Sequence, residues 1–239
     1  MPQFILTSSD QKTRCHPKQH NTFGLAPGPG PEGSCPGATD GVGGCWEARG
    51  PHGRRCYAQK LCLTRPTVRR NLAFNTKLVK EAKPKELERL FRDEFERFEN
   101  ECLKLDIKGG WCYRIHWSGD VPDLKYAKAL GAAMREFPNI LFWGYTRTLD
   151  EKVLRALSNP DNAVWFVSAD VMNYEKAEAL WKTVPGLGMA YLSAEKPWKL
   201  DGRTPVACPV DAGKMDREGA CQKCRLCLRR NAVIWFKLR

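Results

Sequence analysis

From Trp111 onward the chain repeats one unit: a short apolar run, an amphipathic stretch, then the next apolar run. The apolar runs are Trp111–Trp117, Ile140–Tyr145, Ala163–Ser168 and Leu187–Ser193; Asp123–Phe137, Leu149–Ser158 and Tyr174–Thr183 lie between them. Two more apolar runs follow, Thr204–Val210 and Val233–Leu238. Short apolar runs bounded by turn residues read as strands, and the longer amphipathic stretches as helices. Strands that alternate with helices pair in parallel, because a parallel connection needs a crossover of that length. The expected class is therefore α/β. With at least five strands and one layer's worth of amphipathic helices, a partial or complete βα barrel of TIM-like form is preferred to an open sheet. The repeats occupy 110–210 of a single domain, 1–239.

Upstream, Lys85–Asp106 carries Leu87, Leu90, Phe91, Phe95, Phe98, Cys102 and Leu105 at helical spacing, and Pro84 suits the first turn of that helix. Cys102 falls on the apolar stripe, so it reads as a buried structural thiol. Cys112, inside a strand, reads as core. The basic stretch Thr64–Lys83 is expected to be helical from about Thr67, and Pro2–Ser8 reads as a short strand.

Eleven cysteines in 239 residues is high usage. The chain shows no apolar leader pattern near Met1 and no run of 18 apolar residues, so no membrane span is expected. In a reducing compartment, clustered cysteines point to metal before disulfides. They fall into two groups. Residues 9–62 form a Gly/Pro/Cys-rich region holding Cys35, Cys45 and Cys56, with Cys15 and Cys62 nearby. So much Gly and Pro sustains neither helix nor strand, so Cys35–Ala58 reads as a loop that a metal would order. Three ligands there fit an iron–sulfur cluster with one open iron, or one closed by Cys15 or Cys62; a zinc-stapled loop is the alternative. The second group, within 204–239, is Cys208, Cys221, Cys224 and Cys227. Cys-x2-Cys-x2-Cys with a remote Cys-Pro is a spacing used by [4Fe–4S] sites, whereas four-cysteine zinc sites use two separate pairs.

The ends of the predicted strands are polar: His116 with Ser118, Gly119 and Asp120; Tyr145 with Arg147; Ser168; and Ser193 with Glu195. In parallel βα folds the carboxyl ends of strands face the site. His116, Asp120, Tyr145, Arg147, Ser168 and Glu195 are therefore the expected catalytic set. Net charge of +12 favours an anionic partner, either a small substrate or a nucleic acid.

The segments Cys35-Pro36-Gly37-Ala38-Thr39, Cys56-Tyr57-Ala58, the strand end Ser118-Gly119-Asp120-Val121, the strand end Tyr145-Thr146-Arg147-Thr148, and Cys208-Pro209-Val210 followed by CQKCRLC resemble the phage gene product 88 family over residues 30–239. That family is itself similar to radical S-adenosylmethionine enzymes, in which three cysteines hold a [4Fe–4S] cluster at the mouth of a βα barrel. The resemblance implies that Cys35, Cys45 and Cys56 hold such a cluster, that Ser118, Gly119 and Asp120 meet the amine of S-adenosylmethionine, and that the protein works in the cytoplasm of an infected bacterium. The spacing departs from the usual Cys-x3-Cys-x2-Cys. The role of rolling-circle replication initiator, sometimes given to that family, calls for paired histidines around a metal; His16, His20, His52 and His116 form no His-hydrophobe-His pair, so the sequence does not support it.

Three functions follow as expectations. The first is a redox or radical enzyme with one or two clusters. The second is a nucleic-acid-binding protein stapled by metal, using Arg65–Lys83 and the C-terminal arginines on phosphates. The third is a phage protein that modulates its host and senses redox state through a cluster.

Overall fold

The structure, a computed structural model, describes residues 3–5, 12, 14–38 and 56–237. Three helices open it: α1 (Tyr57–Thr64), α2 (Pro66–Glu81) and α3 (Pro84–Lys104). β1 (Cys112–Ile115), α4 (Leu124–Arg135), β2 (Leu141–Thr146), α5 (Glu151–Ser158), β3 (Ala163–Ala169), α6 (Tyr174–Thr183) and β4 (Gly188–Ser193) then alternate. The chain ends with β5 (Val206–Ala207), the short helix α7 (Ala220–Cys224) and β6 (Val233–Lys237). Helix starts follow local chemistry. The Asp123 carboxylate accepts from Tyr126 N at 2.7 Å and that of Asp150 from Val153 N at 3.1 Å, each satisfying an orphan donor of the first turn.

All six strands are parallel, in the order β1-β2-β3-β4-β6-β5. From β1 to β4 every step goes the same way across the sheet. Right-handed crossovers that step in one direction leave their helices on one face. Accordingly α3 to α6 pack on a single face, against Tyr113, Ile115, Phe142, Trp165, Val167 and Met189. From β5 to β6 the chain steps back, so that connection crosses to the opposite face. Leu226, Cys227 and Leu228 there pack on Trp143, Val164, Phe166, Ala190 and Ile234. Strict alternation of side chains along each strand supplies the two faces. Because both are covered, β3 is apolar along nearly its whole length.

The α/β class and the parallel sheet are as the sequence predicts. The sheet does not close: β1 and β5 end the order, and no pairing joins them among the described residues. A complete barrel is thus corrected to an open, singly wound sheet with one reversal. The outer edge of β1 is instead lined by residues 21–25, where Arg114 N donates to Asn21 O, Trp117 N to Phe23 O and Leu25 N to Ser118 O at 2.9–3.1 Å. Of the strand expected over Pro2–Ser8, residues 3–5 are described and carry no strand; Ile5 is held by the Asn75 side chain through its N–H and C=O. Helix α1 also begins inside the stretch read as loop.

The helix-face core is largely aromatic. Phe95 is fully buried, with ring centroids 4.4 Å from Phe142, 5.4 Å from Tyr113 and 5.8 Å from Phe137. Phe95→Ala removes a ring that the rigid sheet cannot collapse onto, so it is expected to cost about 3–5 kcal/mol in chemical denaturation with an unchanged m-value.

Candidate functional site

The second face of the sheet is only partly covered. Over the carboxyl ends of β1, β2 and β3 lies a cavity of about 1160 Å³. Cys35 and Gly37 border it from the N-terminal loop, Cys56, Leu61 and Arg65 from the start of the helical segment, and Arg114, Asp120, Tyr145 and Ser168 from the strands. The loop reaches this position because two glycines permit close approach. A Cβ on Gly37 would lie 2.5 Å from Arg147 O. Gly119 has φ +81°, and a Cβ there would meet Ser34 Oγ at 2.4 Å and Leu25 Cβ at 2.7 Å.

Asp120 is the node of this arrangement. Its carboxylate accepts from Thr146 Oγ1 at 2.6 Å, Arg147 N at 2.8 Å and Val121 N at 2.7 Å, while its own N–H donates to Ser34 Oγ at 3.1 Å. It therefore joins the ends of β1 and β2 to the residue before Cys35. Burial pushes its carboxyl up to about 6, although those hydrogen bonds favour the ionised form. Burial, with the nearby Asp120 charge, pushes the Cys35 thiol up to about 12. Asp170 accepts from the Arg147 guanidinium at 2.8 Å.

His116 is buried at φ +60° and its Nε2 lies 2.6 Å from Tyr126 Oη; its Nδ1 is buried with no hydrogen-bond partner among the described residues. Burial, and then the Arg114 charge, lower its pKa to about 3, so the ring is neutral.

A second, smaller cavity of about 20 Å³ lies under the β5–β6 connection, bordered by Cys208, Cys221, Cys224 and Cys227 together with Val210, Leu226 and Ile234. The α7 turn and the 3-10 turn Leu226–Leu228 present the last three thiols. Tyr145 Oη lies 3.0 Å from Cys227 Sγ. Hydrogen bonding with Cys221, and then with Tyr145, lowers the Cys227 thiol to about 7 against the opposing effect of burial. None of the described cysteines is in a disulfide. Among the described residues no three His, Cys, Asp or Glu side chains are gathered tightly enough to hold one metal ion.

Residues 6–230 match the Gene product 88 family. The chain belongs to that family. It is 31% identical to the Gene 88 protein of Mycobacterium phage L5 over 221 residues, and 30% identical to that of Mycobacterium phage D29 over 222 residues. Each alignment covers 90% of this chain and 86% of the relative. No solved structure matches. Among the described residues of this family member no helix is long and apolar enough to cross a membrane.

Most strand-end residues singled out in the sequence do meet in this gene product 88 chain. His116, Gly119, Asp120, Tyr145, Arg147 and Ser168 border the large cavity, as do Cys35 and Cys56. Cys45 and Thr39 lie outside the described residues. Glu195 is not brought to them: it is exposed beyond β4 and away from the cavity lining, and its backbone oxygen accepts from Ser193 Oγ. The Ser118 hydroxyl donates to Leu25 O at 3.0 Å and braces the N-terminal segment. Arg114 and Arg217 border the cavity and were missed. Alternation in Cys-Tyr-Arg-Ile places Arg114 opposite Tyr113 and Ile115; it lies 5.3 Å over the Trp143 ring and 6.0 Å over Tyr145.

The two shifted groups oppose each other. Between pH 4 and 6 the folded state holds a proton on Asp120 that the unfolded chain has lost, which makes stability fall as pH rises. Over the same window folded His116 lacks a proton that the unfolded chain carries, which makes stability rise. Each slope is about 1.4 kcal/mol per pH unit, so together they nearly cancel. Asp120→Asn is expected to unmask the His116 slope, with stability climbing from pH 4 to 6 relative to wild type in denaturation midpoints.

Proposed function

We propose that this gene product 88 protein is an iron–sulfur protein with a radical-S-adenosylmethionine-like arrangement of βα units around an open sheet, active in redox or radical chemistry. The observation that carries the reading is that Cys208 and the Cys221-x2-Cys224-x2-Cys227 triplet border one cavity, although Cys208 and the triplet come from opposite ends of a long connection. One zinc ion would need its sulfurs about 2.3 Å from a single centre. Zinc sites of four cysteines use two separate pairs, whereas a Cys-x2-Cys-x2-Cys triplet with one remote cysteine suits a cube with a thiolate at each corner. Cys35 and Cys56, with Cys45 as third ligand, would hold a second cluster at the large cavity.

A [4Fe–4S] group bound at either place supplies one-electron transfer. The residues of the chain prepare the surroundings. The Tyr145 hydroxyl lies 3.0 Å from Cys227 Sγ, where it would donate to a thiolate ligand, and it borders the large cavity as well. Gly119 and Asp120 stand at the wall where an amine of S-adenosylmethionine would be met. Arg147, fixed by Asp170, presents its charge to an anionic substrate. Described cysteines outside disulfides, together with phage relatives, support work inside the infected bacterial host. A second reading, a metal-stapled nucleic-acid binder without turnover, is favoured by exposed Arg65, Arg69 and Arg70 on successive turns of the α1–α2 region.

Anaerobically purified protein is expected to be brown, with acid-labile sulfide and iron in equal amounts, roughly four of each per cluster. Cys224→Ser is expected to lose one cluster's iron and to lower the thermal midpoint. Colourless protein with one zinc per chain and no sulfide would end the reading.

Tyr145→Phe keeps the ring but removes the hydrogen bond to Cys227. A donor to a thiolate favours the reduced, more negative cluster. The variant is expected to keep its iron and lower one reduction potential by on the order of 40 mV, the equivalent of ~1 kcal/mol for one electron. An unchanged potential in redox titration would remove Tyr145 from this role.

A further inference from the structure

We propose that the large cavity over the second face of the sheet binds a nucleotide-sized organic phosphate. This goes beyond the metal reading and rests on the charge, size and surface of the cavity alone.

Among the described residues six cationic side chains border the cavity, Lys12, Arg14, Arg65, Arg114, Arg147 and Arg217, against two carboxylates, Asp120 and Asp211. The Asp120 carboxylate is already engaged by Thr146 Oγ1, Arg147 N and Val121 N. Two of the arginines are already positioned by carboxylates, Arg14 by Glu218 at 2.8 and 2.9 Å and Arg147 by Asp170 at 2.8 Å. Arg65 and Arg217 are exposed and have no carboxylate partner among the described residues. They come from remote parts of the chain, the α1–α2 junction and the β5–β6 connection, yet border the same space. A concave site lined by one sign of charge focuses its field and raises the local concentration of an oppositely charged ligand. Guanidinium forks match phosphate oxygens two at a time.

The charge does not describe the whole surface. Trp117, Tyr145 and Phe236 also border the cavity, with Leu61, Val68 and Leu192. Flat aromatic faces are where a base stacks. Inorganic phosphate would leave that apolar surface wet, and a neutral nucleoside would leave the arginines unmatched. About 1160 Å³ exceeds what a simple anion fills and reaches the size class of sites for large small-molecule ligands. A nucleotide uses both features.

The test is calorimetric titration of the full chain as purified, at 50 and 200 mM salt, with ATP, AMP, adenosine, inorganic phosphate and a deoxythymidine oligomer. The expected result is saturable binding of ATP or AMP that weakens with salt, with adenosine and phosphate at least about tenfold weaker. The double variant Arg65→Ala/Arg217→Ala, both exposed, is expected to keep its thermal midpoint and lose at least about tenfold in nucleotide affinity, as loss of charge-assisted hydrogen bonds requires. No nucleotide binding at millimolar concentration, unchanged affinity in the double variant, or binding of the oligomer that no mononucleotide displaces would each overturn the proposal. Iron and sulfide are measured on the same samples. Nucleotide binding by metal-free protein would support this site while ending the cluster reading; iron-loaded protein without nucleotide binding would do the reverse.

Discussion

A single reversal in the direction of winding organises this molecule. Four strands laid down in one direction must throw their right-handed crossovers onto one face, and the aromatic core with α3 to α6 fills that side. The opposite face would remain bare if the chain continued. Instead β6 inserts between β4 and β5. The backward step carries residues 208–232 across, and with them four cysteines. The N-terminal loop reaches the same face along the free edge of β1, through the hydrogen bonds of residues 21–25. Two cysteine groups from opposite ends of the chain thus meet the same sheet face for topological reasons.

Asp120 holds that meeting place together. A buried carboxyl is costly unless its oxygens are satisfied, and three donors satisfy these, two of them backbone N–H groups. The same residue ties its own N–H to Ser34 Oγ, and Ser34 Oγ donates to Ala26 O at 2.8 Å. Strand ends and cysteine loop are in this way one hydrogen-bonded unit. Moving the loop would strand the buried Asp120 N–H, and the close approach of the loop needs Gly37 and Gly119, where a Cβ would clash.

Much of this was legible. Proline at the start of α3, the apolar stripe through Phe91, Phe95 and Phe98, and the alternating runs from Trp111 are local signals, and local signals survive tertiary context. Parallel pairing puts the carboxyl ends of β1, β2 and β3 in register, so polar residues at those ends had to come together. Strand order was not legible. A two-residue β5 and a late β6 look alike in sequence whether the sheet closes or the chain doubles back, because neither hydropathy nor spacing encodes the neighbour chosen. Glu195 stands apart from that set for a related reason: β4 ends at Ser193 and the chain leaves the sheet before Glu195 can face inward. Arg114 was overlooked because a charged residue in a four-residue strand resembles noise until the two faces are known.

The β5–β6 connection poses an energetic problem that bears on its chemistry. Across residues 208–231 the only fully buried side chain is Ala220. Ordering a residue costs roughly 1–2 kcal/mol of backbone entropy, and so little apolar burial does not offset that for two dozen residues. Polar contacts hold it as well, among them Cys221 N to Lys12 O at 2.7 Å, Cys208 N to Trp235 O at 3.0 Å, Arg203 to Asn231 O at 3.1 Å and the Arg14–Glu218 pair at the surface, a kind worth little in water. What this segment does have is four thiols around one cavity. Ligand binding at such a site is folding free energy, and it would act where the apolar core does not reach. The physical case for a metal-bearing centre is therefore strongest where the packing is thinnest, and the hydrogen bond between Tyr145 and Cys227 connects that centre to the cavity on the other side of β2's aromatic row.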